Sequence, residues 1–204
     1  WTADIICGKQ VTTVVGSGRS GTRHTVFPAE LQKAIRAFTS DGGNVLVSGA
    51  YIATDIWDQI YPYEVDKTFR EQSANFAKNV LGYRWGANCG SRKGEARPTV
   101  NKTFTTIAND RYSIWNEINE DCYSVENPDA ISPVSAKTGS TFLRYSDTDM
   151  SAGVCYEGDG YKAVSIGFPL ETLKDEKNVI SGICNDLFCN CILFAGMVPS
   201  AYTQ

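Results

Sequence analysis

The sequence predicts one α/β domain over residues 1–204, a three-layer sandwich around a mainly parallel sheet with a β-rich insertion at about 84–152. Three observations carry that expectation. Strand-like runs at 4–7 and 45–49 flank an amphipathic helix, and a strand, helix, strand unit closes by a right-handed crossover into a layered fold. Further helical patterns occupy 67–81 and about 175–194. Between them, residues 84–152 change texture to short alternating runs separated by Gly, Asn, Asp and Pro.

Each element follows from its residues. Leu31, Ala34, Ile35 and Phe38 recur at i, i+3, i+4 and i+7 behind Pro28, which predicts a helix over 28–38 with those four on its buried face. Asp41-Gly42-Gly43 ends it. Val45, Leu46 and Val47 open a continuously apolar strand of the kind buried on both sides of a parallel sheet. Phe69, Ser73, Phe76, Ala77 and Val80 set the second helix, closed at Gly82. Within the insertion, 103–107 and 140–145 alternate as strands do. Glu157-Gly158-Asp159-Gly160 is a tight-turn signal between the strands 153–156 and 162–167.

Composition narrows function. At 42% hydrophobic and 21% charged the chain has the balance of a folded domain, and 204 residues suffice for one sizeable core. A net charge of −4 provides no basic excess to displace phosphate counterions, which argues against nucleic acid. The longest apolar stretch, 180–198, carries Asn185, Asp186 and Asn190, so membrane insertion is not expected. The chain starts at Trp1 and reads as a strand almost at once, the expectation being a processed chain or a piece of a longer one. Of seven cysteines, Cys184, Cys189 and Cys191 lie in the last helical pattern as small hydrophobes, while Cys89, Cys122 and Cys155 lie in polar sequence as disulfide candidates with undetermined pairing.

Several motifs invite chemistry. Gly16-Ser17-Gly18-Arg19-Ser20-Gly21 fits the glycine pattern of dinucleotide sites, but six residues separate its third glycine from Pro28, where the helix begins. It reads as a surface loop in which Arg19, Arg23 and His24 offer a weak anion site, with nucleotide binding the lesser alternative. His24 is the lone histidine, so any imidazole base must be that residue. Asp147-Thr148-Asp149 and Glu157-Gly158-Asp159 place oxygens in loops but match no complete calcium loop, and no metal or cofactor is expected. Glu117, Glu120 and Asp121 read as a solvated acidic face or as acids of a glycan-cleaving site; Tyr112, Trp115 and Tyr123 read as core or as rings that stack on sugars.

Two segments together resemble class I glutamine amidotransferase-like domains, which are flavodoxin-like α/β folds. Val45-Leu46-Val47-Ser48-Gly49-Ala50-Tyr51 is similar to the strand entering that family's nucleophile elbow, and Gly167-Phe168-Pro169-Leu170-Glu171 to its closing Gln-Phe-His-Pro-Glu segment. On that alignment the cysteine position falls at Gly49 or Ala50 and the histidine position at Pro169, leaving only Glu171 of the triad. With neither thiolate nor imidazole, the resemblance implies a domain without catalytic residues. Together with residues 4–10, these segments also resemble a domain of extracytoplasmic Bacteroides-type proteins that genomes label xanthan lyase.

In parallel sheets ligands bind beyond the carboxyl ends of the strands. The candidate cleft is therefore Lys9, Gln10, Ser48, Gly49, Ala50, Tyr51, Asp55, Phe168 and Glu171. The expectation is a non-catalytic binding or scaffolding module of a larger secreted, periplasmic or cell-surface protein, with the parent's other domains as partners and carbohydrate or cell wall as ligand. A polysaccharide lyase or glycoside hydrolase is the alternative.

Overall fold

The computed structural model describes residues 4–8, 12–15, 19–22, 26–57, 67–99, 111–114, 125, 127–174 and 182–196. Strand β1 (Asp4–Gly8) leads to an antiparallel pair, β2 (Thr12–Val15) and β3 (Arg19–Thr22), in which Val15 lies opposite Arg19. Gly21, the third glycine of the dinucleotide-like pattern, thus sits inside a strand, and no helix opens there to face a pyrophosphate.

Helix α1 (Ala29–Ser40) begins behind Pro28 as its pattern predicts, but its buried face is rotated. Gln32, Ile35 and Thr39 are buried, Leu31 and Phe38 only partly, and Ala34 is exposed. Gln32 tolerates burial because its Nε2 donates to the Phe27 carbonyl and to Ser73 Oγ, both at 2.8 Å. That second bond ties α1 to the helix over Lys67–Phe76. Strand β4 (Val45–Gly49) is buried at all five positions. The short α2 (Thr54–Trp57) follows, then α3 (Lys67–Phe76), which continues as a π-helical turn over Ala77–Leu81. Gly82 closes that turn at φ 74°, a left-handed conformation that glycine adopts at little cost.

From Tyr83 to Lys174 the described residues are mostly β. Strands β5 (Tyr83–Ala87), β6 (Glu95–Pro98), β7 (Tyr112–Ile114), β8 (Ala130–Pro133), β9 (Gly139–Tyr145), β10 (Ser151–Glu157) and β11 (Lys162–Ile166) precede a 3₁₀ turn at Leu170–Thr172. Strand β12 (Leu173–Lys174) and helix α4 (Gly182–Phe194) end the described chain. Among the described residues the main sheet has eight strands in the order β1-β4-β11-β10-β9-β6-β7-β12, and β5 pairs separately with β8.

Among the described residues only β1 with β4 and β4 with β11 are parallel. The other five pairings, from β11–β10 to β7–β12, are antiparallel. The three-layer, mainly parallel sandwich is therefore overturned: the structure is a mixed, mostly antiparallel sheet curled into a half-barrel. The reason is local. The strand, helix, strand unit does form its parallel pair, but the hairpin at 157–160 reverses the chain beside β11, and every pairing beyond it is antiparallel. Strands β6, β7 and β9, from the stretch read as an insertion, extend this same sheet.

Helices cover the parallel end on both sides. Val45, Val47, Val154 and Ala163 pack with Ile35 of α1 and Phe76 of α3. Leu46, Val164 and Ile166 point the other way and pack with Leu187, Cys191 and Phe194 of α4. The split follows the two-residue period of a strand. Ser165 faces the α1 side, fully buried, and its hydroxyl has no hydrogen-bond partner among the described residues. Since an unmade buried bond costs free energy, Ser165→Ala is expected to leave stability unchanged or raise it by about 1 kcal/mol in chemical denaturation.

Candidate functional site

At the carboxyl end of β4 the chain turns sharply through residues 50–53 into α2. Tyr51 carries the turn at φ 64°, a region that costs a bulky residue about 1–2 kcal/mol. Burial of its ring offsets that strain, and its hydroxyl accepts a hydrogen bond from Asn127 Nδ2 at 3.0 Å. Two further side chains fix the edge. Ser48 Oγ accepts from the Leu170 amide at 3.3 Å, and the Asp55 carboxylate accepts from the Val26 amide at 2.7 Å.

The centre of the edge is Asp129, which is fully buried just ahead of β8. Its Oδ2 accepts from the Ala53 amide at 2.6 Å and the Thr54 amide at 2.9 Å, while its Oδ1 accepts from Thr54 Oγ1 at 2.6 Å. Thr54 Oγ1 in turn accepts from Trp85 Nε1 at 3.0 Å. The backbone of Asp129 is engaged as well: its amide donates to the Gly167 carbonyl and its carbonyl accepts from the Tyr145 hydroxyl, each at 2.7 Å. One residue thus joins the turn after β4, the end of β11 and strands β8 and β9, and through Thr54 it reaches Trp85 of β5.

Burial sets the electrostatics. Loss of solvation pushes the Asp129 carboxyl up to about 7, the hydrogen bonds from Thr54 and Ala53 oppose this, and the Asp55 charge adds to it. Burial likewise raises the Tyr83 and Tyr145 phenols well above their ordinary value, with the Asp129 charge as the next cause. Tyr83 donates to the Ile52 carbonyl at 2.8 Å, so a second hydroxyl secures the same turn.

A cavity of about 160 Å³ opens at the opposite end of the sheet, where β9 begins and β10 ends. Lys137, Thr138, Ser140, Cys155, Glu157 and Phe194 line it. The Cys155 thiol lies 3.1 Å from Ser140 Oγ. Lys162 Nζ donates to the Phe194 carbonyl at 2.9 Å and sits 4.8 Å from the centre of its ring, fixing the apolar wall.

No family model matches the chain. No curated protein matches it either. Among solved structures it is similar to a cold-adapted β-galactosidase from Rahnella sp. R3, with 12% identity over 86% of this chain and a TM-score of 0.48. The chain spans only 22% of that protein. It is also similar to the mmIFT52 N-terminal domain, with 10% identity over 85% of this chain and 72% of that one, and a TM-score of 0.46. Similarity at this level carries no argument about function. The resemblance to class I glutamine amidotransferase-like domains, with its flavodoxin-like fold and its Bacteroides-type counterpart, is not upheld: no family model supports it, and the curled antiparallel half-barrel is a different sheet.

The residues singled out from sequence have different fates. Ser48, Ala50, Tyr51, Asp55 and Phe168 come together at the β4–β11 edge as buried side chains, with Gly49 at the strand end and the backbone of Glu171 in the 3₁₀ turn. Arg19 contributes its backbone to β3. Lys9, Gln10, Arg23 and His24 lie outside the described residues, as do Trp115, Glu117, Glu120, Asp121, Cys122, Tyr123 and the strand read at 103–107. Tyr112 is core, its hydroxyl donating to Asp186 at 3.0 Å. The carboxylate of Asp147 accepts from the Arg92 and Lys93 amides and that of Asp149 pairs with Arg97 at 2.7 Å, so both acids of the 147–149 loop have structural partners.

Asp129 escaped the reading because Asn127-Pro128-Asp129 looks like ordinary turn chemistry, and nothing local links it to amides 75 and 76 residues away. Its removal should be costly. Asp129→Ala leaves two buried amides and a hydroxyl without an acceptor and is expected to lower unfolding free energy by at least about 3 kcal/mol. Tyr51→Phe, which removes the hydroxyl that accepts from Asn127, should cost about 1 kcal/mol. Equal losses in denaturant titrations would refute the ranking. Gly167→Ala should resemble the larger loss, because a Cβ there would meet the Asp129 carbonyl oxygen at 2.0 Å.

Proposed function

We propose that this chain is a non-catalytic binding or scaffolding module of a larger secreted or cell-surface protein that acts on polysaccharide or cell wall. The observation that carries the reading is the use made of the polar groups at the β4–β11 edge. Ser48, Asp55 and Asp129 each accept a hydrogen bond from a backbone amide of another segment, and all three are buried. Groups committed in this way hold loops in place and do not meet substrate.

The cavity between β9, β10 and α4 supports carbohydrate as the ligand class. Its lining residues include two that carry hydroxyls, Thr138 and Ser140, two of opposite charge, Lys137 and Glu157, and the apolar Phe194. Sugars are bound by such a mixture of donors and acceptors above an apolar surface. Glycoside hydrolysis requires two carboxyl groups facing each other, and the described lining includes one, Glu157.

A panel of soluble plant and bacterial polysaccharides, titrated calorimetrically against the purified chain, tests this. At least one should bind, with Lys137→Ala and Glu157→Gln each weakening it about tenfold, equivalent to about 1.4 kcal/mol, at unchanged melting temperature. Release of new reducing ends by the chain would overturn the non-catalytic reading. Failure of the whole panel to bind would overturn carbohydrate as the ligand.

A further inference from the structure

Three arginines stand side by side across the outer face of the antiparallel strands. Register places Arg97 of β6 directly opposite Arg144 of β9. On its other edge β6 pairs with β7 as Glu95 with Ser113 and Ala96 with Tyr112, and the next step of that register brings Arg111 beside Arg97. Arg111 reaches Glu95, which confirms that it shares the face of Glu95 and Arg97. Ala96, Tyr112 and Tyr145 are buried on the opposite face. Arg97 and Arg111 are exposed and Arg144 is half-buried. Neighbouring strands lie about 4.8 Å apart, so the row spans about 10 Å.

Two acids soften this row without filling it. Arg97 Nη2 donates to Asp149 Oδ1 at 2.7 Å, Arg144 Nη1 to the Asp149 carbonyl at 2.7 Å, and Arg111 Nη1 to Glu95 Oε2 at 3.3 Å. A guanidinium carries five N–H donors in a planar fork, and each of these gives one hydrogen bond among the described residues. The forks are therefore open. The pair of Arg97 with Asp149 is exposed on both sides, at 49% and 67%, and a pair so exposed adds little stability and exchanges readily for another carboxylate. Like charges set directly opposite one another destabilise a sheet, and an anion laid along the row removes that cost.

We propose that Arg111, Arg97 and Arg144 form a docking surface for a linear polysaccharide that bears carboxylates. The planar fork of arginine matches a carboxylate through two parallel hydrogen bonds. Successive arginines are one strand spacing apart, a step comparable with the length of one sugar ring, so a chain of uronic acids presents its charges at the pitch of the row. Nucleic acid, with its denser charge, needs a broad basic surface that a chain of net charge −4 does not offer. The ligand class rests on the carbohydrate reading above, but the surface is a separate one: the cavity lies where β9 begins, at Gly139 and Ser140, and Arg144 lies near the other end of that strand.

Calorimetric titration of the purified chain with polygalacturonate tests this, with dextran and single-stranded DNA as comparisons. Polygalacturonate should bind at low ionic strength and weaken steeply as salt screens the charges. Arg97→Gln and Arg144→Gln should each weaken it about tenfold at unchanged melting temperature. Asp149→Asn, which removes the competing carboxylate at a φ of 59° that Asn also tolerates, should tighten it about threefold. No binding of polygalacturonate would overturn the row; if dextran binds in its place, the carbohydrate reading survives without it. A loss of polygalacturonate binding in Lys137→Ala but not in the arginine variants would move the site to the cavity and likewise overturn the row. Equally tight binding of DNA would overturn polysaccharide as the partner. Should the arginine variants fail to fold, Asp149→Asn decides, because an affinity that does not rise contradicts the proposal.

Discussion

The structure depends on one crossing, where residues 128–129 pass over the end of β11 close enough that Gly167 cannot carry a side chain. A Cβ at Gly167 would lie 2.0 Å from the Asp129 carbonyl oxygen, and that contact is with backbone, which has little room to yield. The closeness brings the Asp129 amide to the Gly167 carbonyl and its carboxyl to the amides of Ala53 and Thr54. Everything that shapes the β4–β11 edge follows: the turn can hold Tyr51 at positive φ because its following residues are fastened from the far side. A buried carboxyl without those donors would be a large penalty; with them it organises three segments distant in sequence.

That crossing also reconciles the two characters of the sheet. Strands β4 and β11 behave as the core of an α/β protein, apolar residues on both faces packing with α1 and α3 on one side and α4 on the other. Strands β10, β9, β6, β7 and β12 behave as an antiparallel meander that curls away. The seam is β11, parallel to β4 on one edge and antiparallel to β10 on the other. Asp129 bridges across this seam, its carboxyl bonded to the turn after β4 and its backbone to β9 and the end of β11.

The legibility of the sequence divides along the same seam. Local periodicity placed α1, β4, the helix at 67–81 and the hairpin at 157–160, because each is specified by neighbours within a few residues. It missed the rotation of α1, since Gln32 is buried through its bond to Ser73, a partner 41 positions away. It also missed the sheet's sense: a strand reads the same whether its neighbour runs with it or against it, so 84–152 looked like an insertion when β6, β7 and β9 extend the main sheet. Short motifs at 45–51 and 167–171 suggested a family that the sheet does not support. The side chains proposed there do cluster, yet they are buried and bonded to the backbone, and the residue at their centre, Asp129, has no local signature.

Acids and hydroxyls fasten loops at the β4–β11 edge, while the cavity at the other end of the sheet is lined by Thr138, Ser140, Lys137 and Glu157. The account turns on Asp129 and Thr54 acting as one unit across the seam. A double-mutant cycle with Asp129→Asn and Thr54→Val, followed by urea unfolding, tests this most directly. A coupling of about 1.5–3 kcal/mol is expected for partners in one buried network; effects that add to within about 0.5 kcal/mol would contradict it.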